Sequence, residues 1–559
     1  MPLLADRRRF LSVCSSLGLT STLLPGVLWA MGQDTPSITP ELLASACRVA
    51  GLEVDEEQRK LMVKTLNEQL VGARDIRAMD LPNSVSPAYS FDPVLPGVTT
   101  WDTAKRPMKV SAARQPRVGQ DLEALAFTSV RDLAELVRTR KVSSLALTEM
   151  FLARLERLDT KLRCVITLTK DRALAQAKEA DREIAAGKYR GFLHGIPWGA
   201  KDLLAVKGYP TTWGAGGFER QRIEEDATAV QRLDAAGAVL VAKLTLGALA
   251  FGDKWFGGMT RNPWKLDEGS RGSSAGSASA VAAGCVPFAM GSETYGSISS
   301  PSTRCGVTGL RPTFGRVPRT GAMALSWTMD KLGPMARTVE DTALVLAAIQ
   351  GPDGKDRAVR DVPFNWDATV ALGSIRVGYL KADFERDRPT KAFDDAALEK
   401  LKAMGVKLVP VALPDVKPDA IVNLLTAEAA AAFDSMTHSG RDKLLTEQGE
   451  NDWPNLFRVA QLMSAVDYIN AQRARTLAME AMAKTFADVD VIVAPTGDPQ
   501  VVITNLTGHP AIIVPNGFRE NGTPVSLTFL GRLYGEAKML AVARAYQEAT
   551  GFHLQYPKM

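Results

Sequence analysis

Histidine is nearly absent, with four in 559 residues (His194, His438, His509 and His553). That scarcity leaves few ways to build a histidine-rich metal site or a histidine-dependent nucleophilic triad. Cysteine is as sparse: Cys14 lies near the amino terminus, and Cys47, Cys164, Cys285 and Cys305 are too scattered for a CxxC zinc or redox pattern. Buried free thiols are the expectation. Charge of one sign is also lacking. The 67 basic and 62 acidic residues leave +5 on a long chain, too little for a surface that tracks phosphates, so nucleic acid is not an expected partner. No internal repeat occurs, and neither Gly-x4-Gly-Lys nor GxGxxG is present to cradle a nucleotide. No metal or organic cofactor is expected. What is present, 46% hydrophobic and 23% charged residues, is an ordinary globular composition with material for a large core.

The amino terminus has the form of an export label. Arg7, Arg8 and Arg9 precede Phe10 and Leu11, and no further charge appears until Asp34. The Arg7-Arg8-Arg9-Phe10-Leu11 string resembles a bacterial twin-arginine signal, which predicts a signal over 1–33 and a periplasmic or secreted product. The competing reading is an uncleaved membrane anchor. Six hydroxyl residues and the Pro25-Gly26 break weaken it, so no stable membrane insertion is expected after signal removal.

Beyond the label, Leu42, Leu43 and Ala46, then Leu61, Met62, Leu66 and Leu70, recur at helical spacing, predicting a small helical segment over 38–80. Residues 81–117, with Pro82, Pro87, Pro93, Pro96, Pro107 and Pro116, read as a linker or wrapping arm. A catalytic domain is expected over 118–559. Helices are predicted at Thr128 to Arg138, at Leu145 to Leu158 with Ser143 or Ser144 as caps, and after Thr338, which stands three before Asp341 as in a capping box. Short β-branched runs at Val239 to Ala242, Ile375 to Leu380, Val406 to Val411 and Val491 to Ala494 read as buried strands of an α/β sheet.

From Gly269 to Gly284 stand four Gly, five Ser and five Ala. Composition alone suggests a flexible linker. Its position inside the large domain, running into Ala280-Val281-Ala282-Ala283, instead predicts a loop feeding a helix N-terminus, where backbone N–H groups can face an anionic centre. Gly272-Ser273-Ser274-Ala275-Gly276 satisfies GxSxG, which would make Ser274 the nucleophile of an α/β-hydrolase elbow, served by a later Asp and His438, His509 or His553. An elbow needs a strand just upstream, and residues 262–269 read instead as a polar turn.

A second reading joins several segments. Gly195-Ile196-Pro197-Trp198-Gly199-Ala200-Lys201-Asp202, Gly272 to Ser277, and Gly291-Ser292-Glu293-Thr294-Tyr295-Gly296-Ser297-Ile298 resemble the signature of the amidase signature family. So do residues 305–313, 333–341 and the end from Asn505, giving coverage of about 126–556. The resemblance implies a large mixed twisted central sheet flanked by helices, with Ser297 as nucleophile, Ser273 as bridging serine in a cis peptide, and Lys201 as base. It also implies that backbone N–H groups around Thr294, Tyr295 and Gly296 hold the oxyanion. A serine hydroxyl is a poor nucleophile until its proton is removed, and a lysine serves as base only when neutral. The apolar Ile196-Pro197-Trp198 and Leu203-Leu204 around Lys201 suit that state.

Three places depart from the family pattern. Tyr295 stands where Gly is usual, so either its backbone keeps φ negative or its ring narrows the pocket. Glu293 replaces an Asp, and Ser299 replaces a common Arg two after the nucleophile. Ser270-Arg271 replace a Pro-Gly pair. The resemblance implies an exported hydrolase of small-molecule carboxamides, also able to take esters. The other classes are the glutaminase component of a tRNA-dependent amidotransferase, which works inside a cytoplasmic complex, and a non-catalytic binding homologue.

Overall fold

The computed structural model describes residues 38–49, 54–79, 81–85, 88–99, 101–114, 118–497 and 499–559. The export-type leader therefore lies outside the described residues. The chain forms two compact units, 1–81 and 82–559. In the first, two helices stand where one amphipathic segment was expected, Pro40–Val49 and Glu56–Ala78, with Leu43 and Cys47 buried.

The second unit is built on an eleven-stranded mixed sheet flanked by helices. In chain order the strands are β1 Val165–Leu168, β2 Pro197–Lys201, β3 Val239–Leu244, β4 Lys254–Trp255, β5 Gly258–Met259, β6 Arg261–Asn262 and β7 Lys265–Gly269. They continue with β8 Phe288–Glu293, β9 Thr308–Arg311, β10 Lys331–Ala336, β11 Val377–Leu380, β12 Leu408–Val411, β13 Val491–Pro495, β14 Ala511–Phe518 and β15 Pro524–Gly531. The large sheet runs β1-β3-β2-β8-β10-β9-β14-β15-β13-β11-β12, while β4-β5 and β6-β7 form two small ribbons. Strands β3, β2 and β8 are mutually parallel, as are β13, β11 and β12, and the pairs between these groups are antiparallel.

The predicted caps account for the helix starts. Ser129 accepts from the Asp132 N–H at 3.1 Å to open Val130–Arg138, and Ser143 accepts from Ala146 at 3.1 Å to open Ser144–Leu162. Thr338 accepts from Asp341 at 3.0 Å to open Val339–Ile349. All four predicted strands form, but Val406 to Val411 is not buried as expected. Its strand, β12, is the sheet's last, paired only with β11, and Val409 is left exposed. The polar turn expected at 262–269 holds the short strand β7, whose hairpin lies outside the main sheet. Cys47, Cys164, Cys285 and Cys305 are all buried free thiols.

Candidate active site

Strand β2 sits between β3 and β8, parallel to both, so the carboxyl ends of β2 and β8 open on the same edge of the sheet. Open α/β sheets place their ligands outside such ends. Lys201 is the last residue of β2, and Ser292 and Glu293 end β8. The Lys201 Nζ lies 2.8 Å from Ser273 Oγ, 3.0 Å from Ser274 Oγ, 2.8 Å from Ser292 Oγ and 3.5 Å from the Ser292 carbonyl. The side chain is fully buried. Burial pushes its ammonium well below the ordinary lysine range, and the more distant carboxylates of Asp330 and Glu293 only partly oppose this. A buried amine ringed by hydroxyls rather than carboxylates is one that sheds its proton.

The serine-rich stretch is a loop entering the helix Ala275–Ala282, as its composition in context predicts. Small residues are required because backbone approaches backbone. A Cβ on Gly272 would stand 1.8 Å from the Gly252 carbonyl oxygen, and one on Gly276 would stand 2.4 Å from that of Cys164. The Gly272–Ser273 peptide is cis. Ser274 is wholly buried, its hydroxyl donating to the Ser292 carbonyl at 3.1 Å while accepting from the Ser292 N–H at 3.1 Å. A hydroxyl committed to main chain on both sides is no elbow nucleophile, and β7 upstream is not a strand of the main sheet.

Ser297 is half-buried, in the turn between β8 and the helix Ser299–Cys305. Its carbonyl accepts from the Ser274 N–H at 3.1 Å, which joins the two serine segments through the backbone. Among the described residues the Ser297 hydroxyl makes no hydrogen bond to Ser273. The turn is held from below by Glu293. One carboxylate oxygen accepts from the N–H groups of Ile298 and Ser299, both at 2.8 Å, and from the Ser299 hydroxyl at 2.9 Å. The other accepts from Arg311 at 2.7 Å and Asn505 at 2.8 Å. Burial works against this carboxylate, but Arg311 and the hydrogen bonds outweigh it and hold the group at about 2. Ser299, the residue in place of a common Arg, thus anchors the turn, and the cation beside Glu293 comes from β9.

Tyr295 does not adopt positive φ, whereas Gly296 takes +86°. Of the two outcomes open for Tyr295, the backbone one is met. The residue is 37% exposed, so the tyrosine does not fill the buried cluster. Thr294 donates from its hydroxyl to Asp330 at 2.5 Å, and Asp330 also accepts from the N–H groups of Leu325 at 2.8 Å and Ser326 at 2.9 Å.

Three residues escaped the sequence argument. Ser292 and Glu293 sit inside a segment already singled out, yet only the folded chain shows that Ser292 bonds Lys201 and that Glu293 holds the turn carrying Ser297. Asp202 is bound to Lys243 of β3 at 2.6 Å, both fully buried, and to Thr212 at 2.7 Å from its N–H and 2.5 Å from its hydroxyl. The histidines stand apart. His194 pairs with Glu183 at 3.2 Å, His438 with Asp434 at 3.2 Å and His509 with Thr507 at 2.8 Å, while His553 lies in the C-terminal turn Phe552–Leu554. Among the described residues no three His, Cys, Asp or Glu side chains gather as metal ligands would.

Residues 146–500 match the family model described as Amidase. The chain belongs to the amidase signature family. As a member it is a hydrolase acting on carbon–nitrogen bonds. It is 35% identical over 478 residues to the A-type component of the glutamyl-tRNA(Gln) amidotransferase of Acinetobacter baylyi, covering 76% of this chain and 97% of that one. The native peptide amidase of Stenotrophomonas maltophilia superposes with a TM-score of 0.69 at 33% identity, covering 76% of this chain and 98% of that one. The peptide amidase PAM bound to its competitive inhibitor chymostatin gives a TM-score of 0.71 at 33% identity, over 78% of this chain and 100% of that one. The rest of this amidase lies beyond what these relatives share. No helix among the described residues is long and apolar enough to cross a membrane.

Proposed function

We propose that the chain hydrolyses small carboxamides through an acyl-enzyme on Ser297, with Lys201 as the base acting through Ser273. The observation that carries this reading is the fully buried Lys201 amine, 2.8 Å from Ser273 and in hydrogen-bond contact with no carboxylate. A neutral amine has one lone pair. It takes the Ser273 proton as Ser273 takes that of Ser297, and the Ser297 oxygen bonds to the amide carbon. Catalytic hydrogen bonds are often long before substrate binds, and in this reading the Ser273–Ser297 contact closes when the carbonyl is seated. The oxyanion is held by backbone N–H groups at Thr294 to Ser297, a contact whose loss costs about 10²- to 10³-fold in rate. The proton returns by the same path to the departing amine, and water then releases the acid.

Labelling with a fluorophosphonate and mapping the modified peptide tests this. The expected adduct is on Ser297 and disappears in Ser297→Ala; an adduct on Ser274, or none, would refute it. A second reading is glutaminase action as part of an amidotransferase, supported by the likeness to the Acinetobacter baylyi protein. The twin-arginine-like leader and the likeness to peptide amidase support the free, exported hydrolase instead. Ammonia release from free glutamine by the isolated chain, without turnover of acyl amides, would favour the glutaminase.

A further inference from the structure

The proline-rich arm ahead of the catalytic region runs along the rest of the second unit and is pinned to it by side chains. Asn83 pairs with one backbone position in both directions, its Nδ2 donating to the Ala324 carbonyl at 2.8 Å and its Oδ1 accepting from the Ala324 N–H at 2.7 Å. The Tyr89 hydroxyl meets that of Tyr468 at 2.9 Å, and Tyr468 donates to Glu428 at 2.9 Å. Phe91 packs edge-on against Phe314 at 5.1 Å with the Arg475 guanidinium 3.4 Å over its ring, and Asp92 pairs with Arg360.

Two of these anchors, Asn83 and Tyr89, line a cavity of roughly 210 Å³. Its lining includes Ser292, whose hydroxyl bonds Lys201, and Thr294, which follows the end of β8 and precedes the turn carrying Ser297. Met323 and Trp327 supply apolar lining, Arg319, Asp330 and Asp356 supply charged lining, and Asn83 and Tyr89 of the arm line the same space. A substrate substituent that passes Ser292 and Thr294 into this space meets residues of the arm.

We propose that Asn83 and Tyr89 set the length of substrate this amidase accepts, the arm acting as an end wall of the substrate cavity. The inference rests on the acyl-enzyme reading above. An end wall penalises groups longer than the cavity and leaves short ones untouched, and a single excess methylene that cannot be accommodated is worth about tenfold in discrimination.

The test measures kcat and KM on two amide series, one lengthened in the acyl group and one in the amine, for the parent, Tyr89→Ala, Tyr89→Phe and Asn83→Ala. Tyr89 is exposed, so its truncation leaves the core intact. In Tyr89→Ala, kcat/KM for the longest members of one series should rise about tenfold through KM, with the shortest members and the pH profile unchanged. Tyr89→Phe, which keeps the ring, should retain the parent's length preference, and Asn83→Ala should relax it. A uniform change in kcat at every length, or none, would overturn the inference while fluorophosphonate labelling of Ser297 still upheld the acyl-enzyme. Absence of both turnover and labelling in the parent would bring down the acyl-enzyme reading itself, and this inference with it.

Discussion

Lys201 and Lys243 stand on neighbouring parallel strands, β2 and β3, both fully buried, yet their surroundings differ in one respect. Lys243 has a carboxylate, Asp202, at 2.6 Å, whereas Lys201 is bonded only to three serine hydroxyls and a carbonyl. Burial pulls both below the usual lysine range, but at Lys243 the carboxylate opposes the pull, while at Lys201 little does. Desolvation alone therefore does not make a base. What separates a proton acceptor from a structural ion pair is whether a counter-charge is supplied after the solvent is removed.

Lys201→Arg keeps a cation but cannot lose its proton, so kcat/KM on an amide should fall by about 10²- to 10⁴-fold, as far as for Lys201→Ala. Substantial activity in Lys201→Arg would show that charge, not basicity, is what the position supplies.

Next, Lys243→Met strands Asp202 in the core and should cost about 3–5 kcal/mol in chemical denaturation. Adding Asp202→Leu should recover most of that loss. If both single and double variants denature like the parent, the pair is not the structural clamp that its burial implies.

Ser292→Asp would give Lys201 the counter-charge it lacks. In the proposed mechanism activity needs the neutral amine, so kcat/KM should rise with pH as Lys201 loses its proton, and the lowered pKa should bring that rise well below the ordinary lysine range. A carboxylate at 292 favours the ammonium and should move the rising limb upward by about one unit or more. A pH profile unmoved by the substitution would remove Lys201 from the titrating step. Smallest of all, His438→Gln should leave kcat/KM within about twofold, since the ring is held by Asp434 on its own helix. A large loss there would return histidine chemistry to consideration.

Much of this site was legible in the chain. The lysine after an apolar Pro-Trp-Gly-Ala run, the serine-rich loop and the second serine segment are local patterns, as are the caps Ser129, Ser143 and Thr338. The central strands were harder. β2 and β8 carry Gly, Ser, Lys and Glu at positions where a buried strand would be expected to be apolar, because these strands present the site itself. The GxSxG match showed the opposite failure, a local string whose serine is tied to main chain by a strand it meets only in three dimensions.

The order of residues along the chain set which residue types were available for chemistry: almost no histidine, no cofactor motif, and a lysine and serines in recurring small-residue segments. Folding in three dimensions settled which lysine is left without a carboxylate, that Ser292 completes its shell, and that Glu293 holds the turn carrying Ser297. The physical reason is that a side chain's proton affinity depends on solvent and charges brought in from strands and loops far apart along the chain. Those distances are fixed by parallel register and backbone contact, neither of which is written in any one segment.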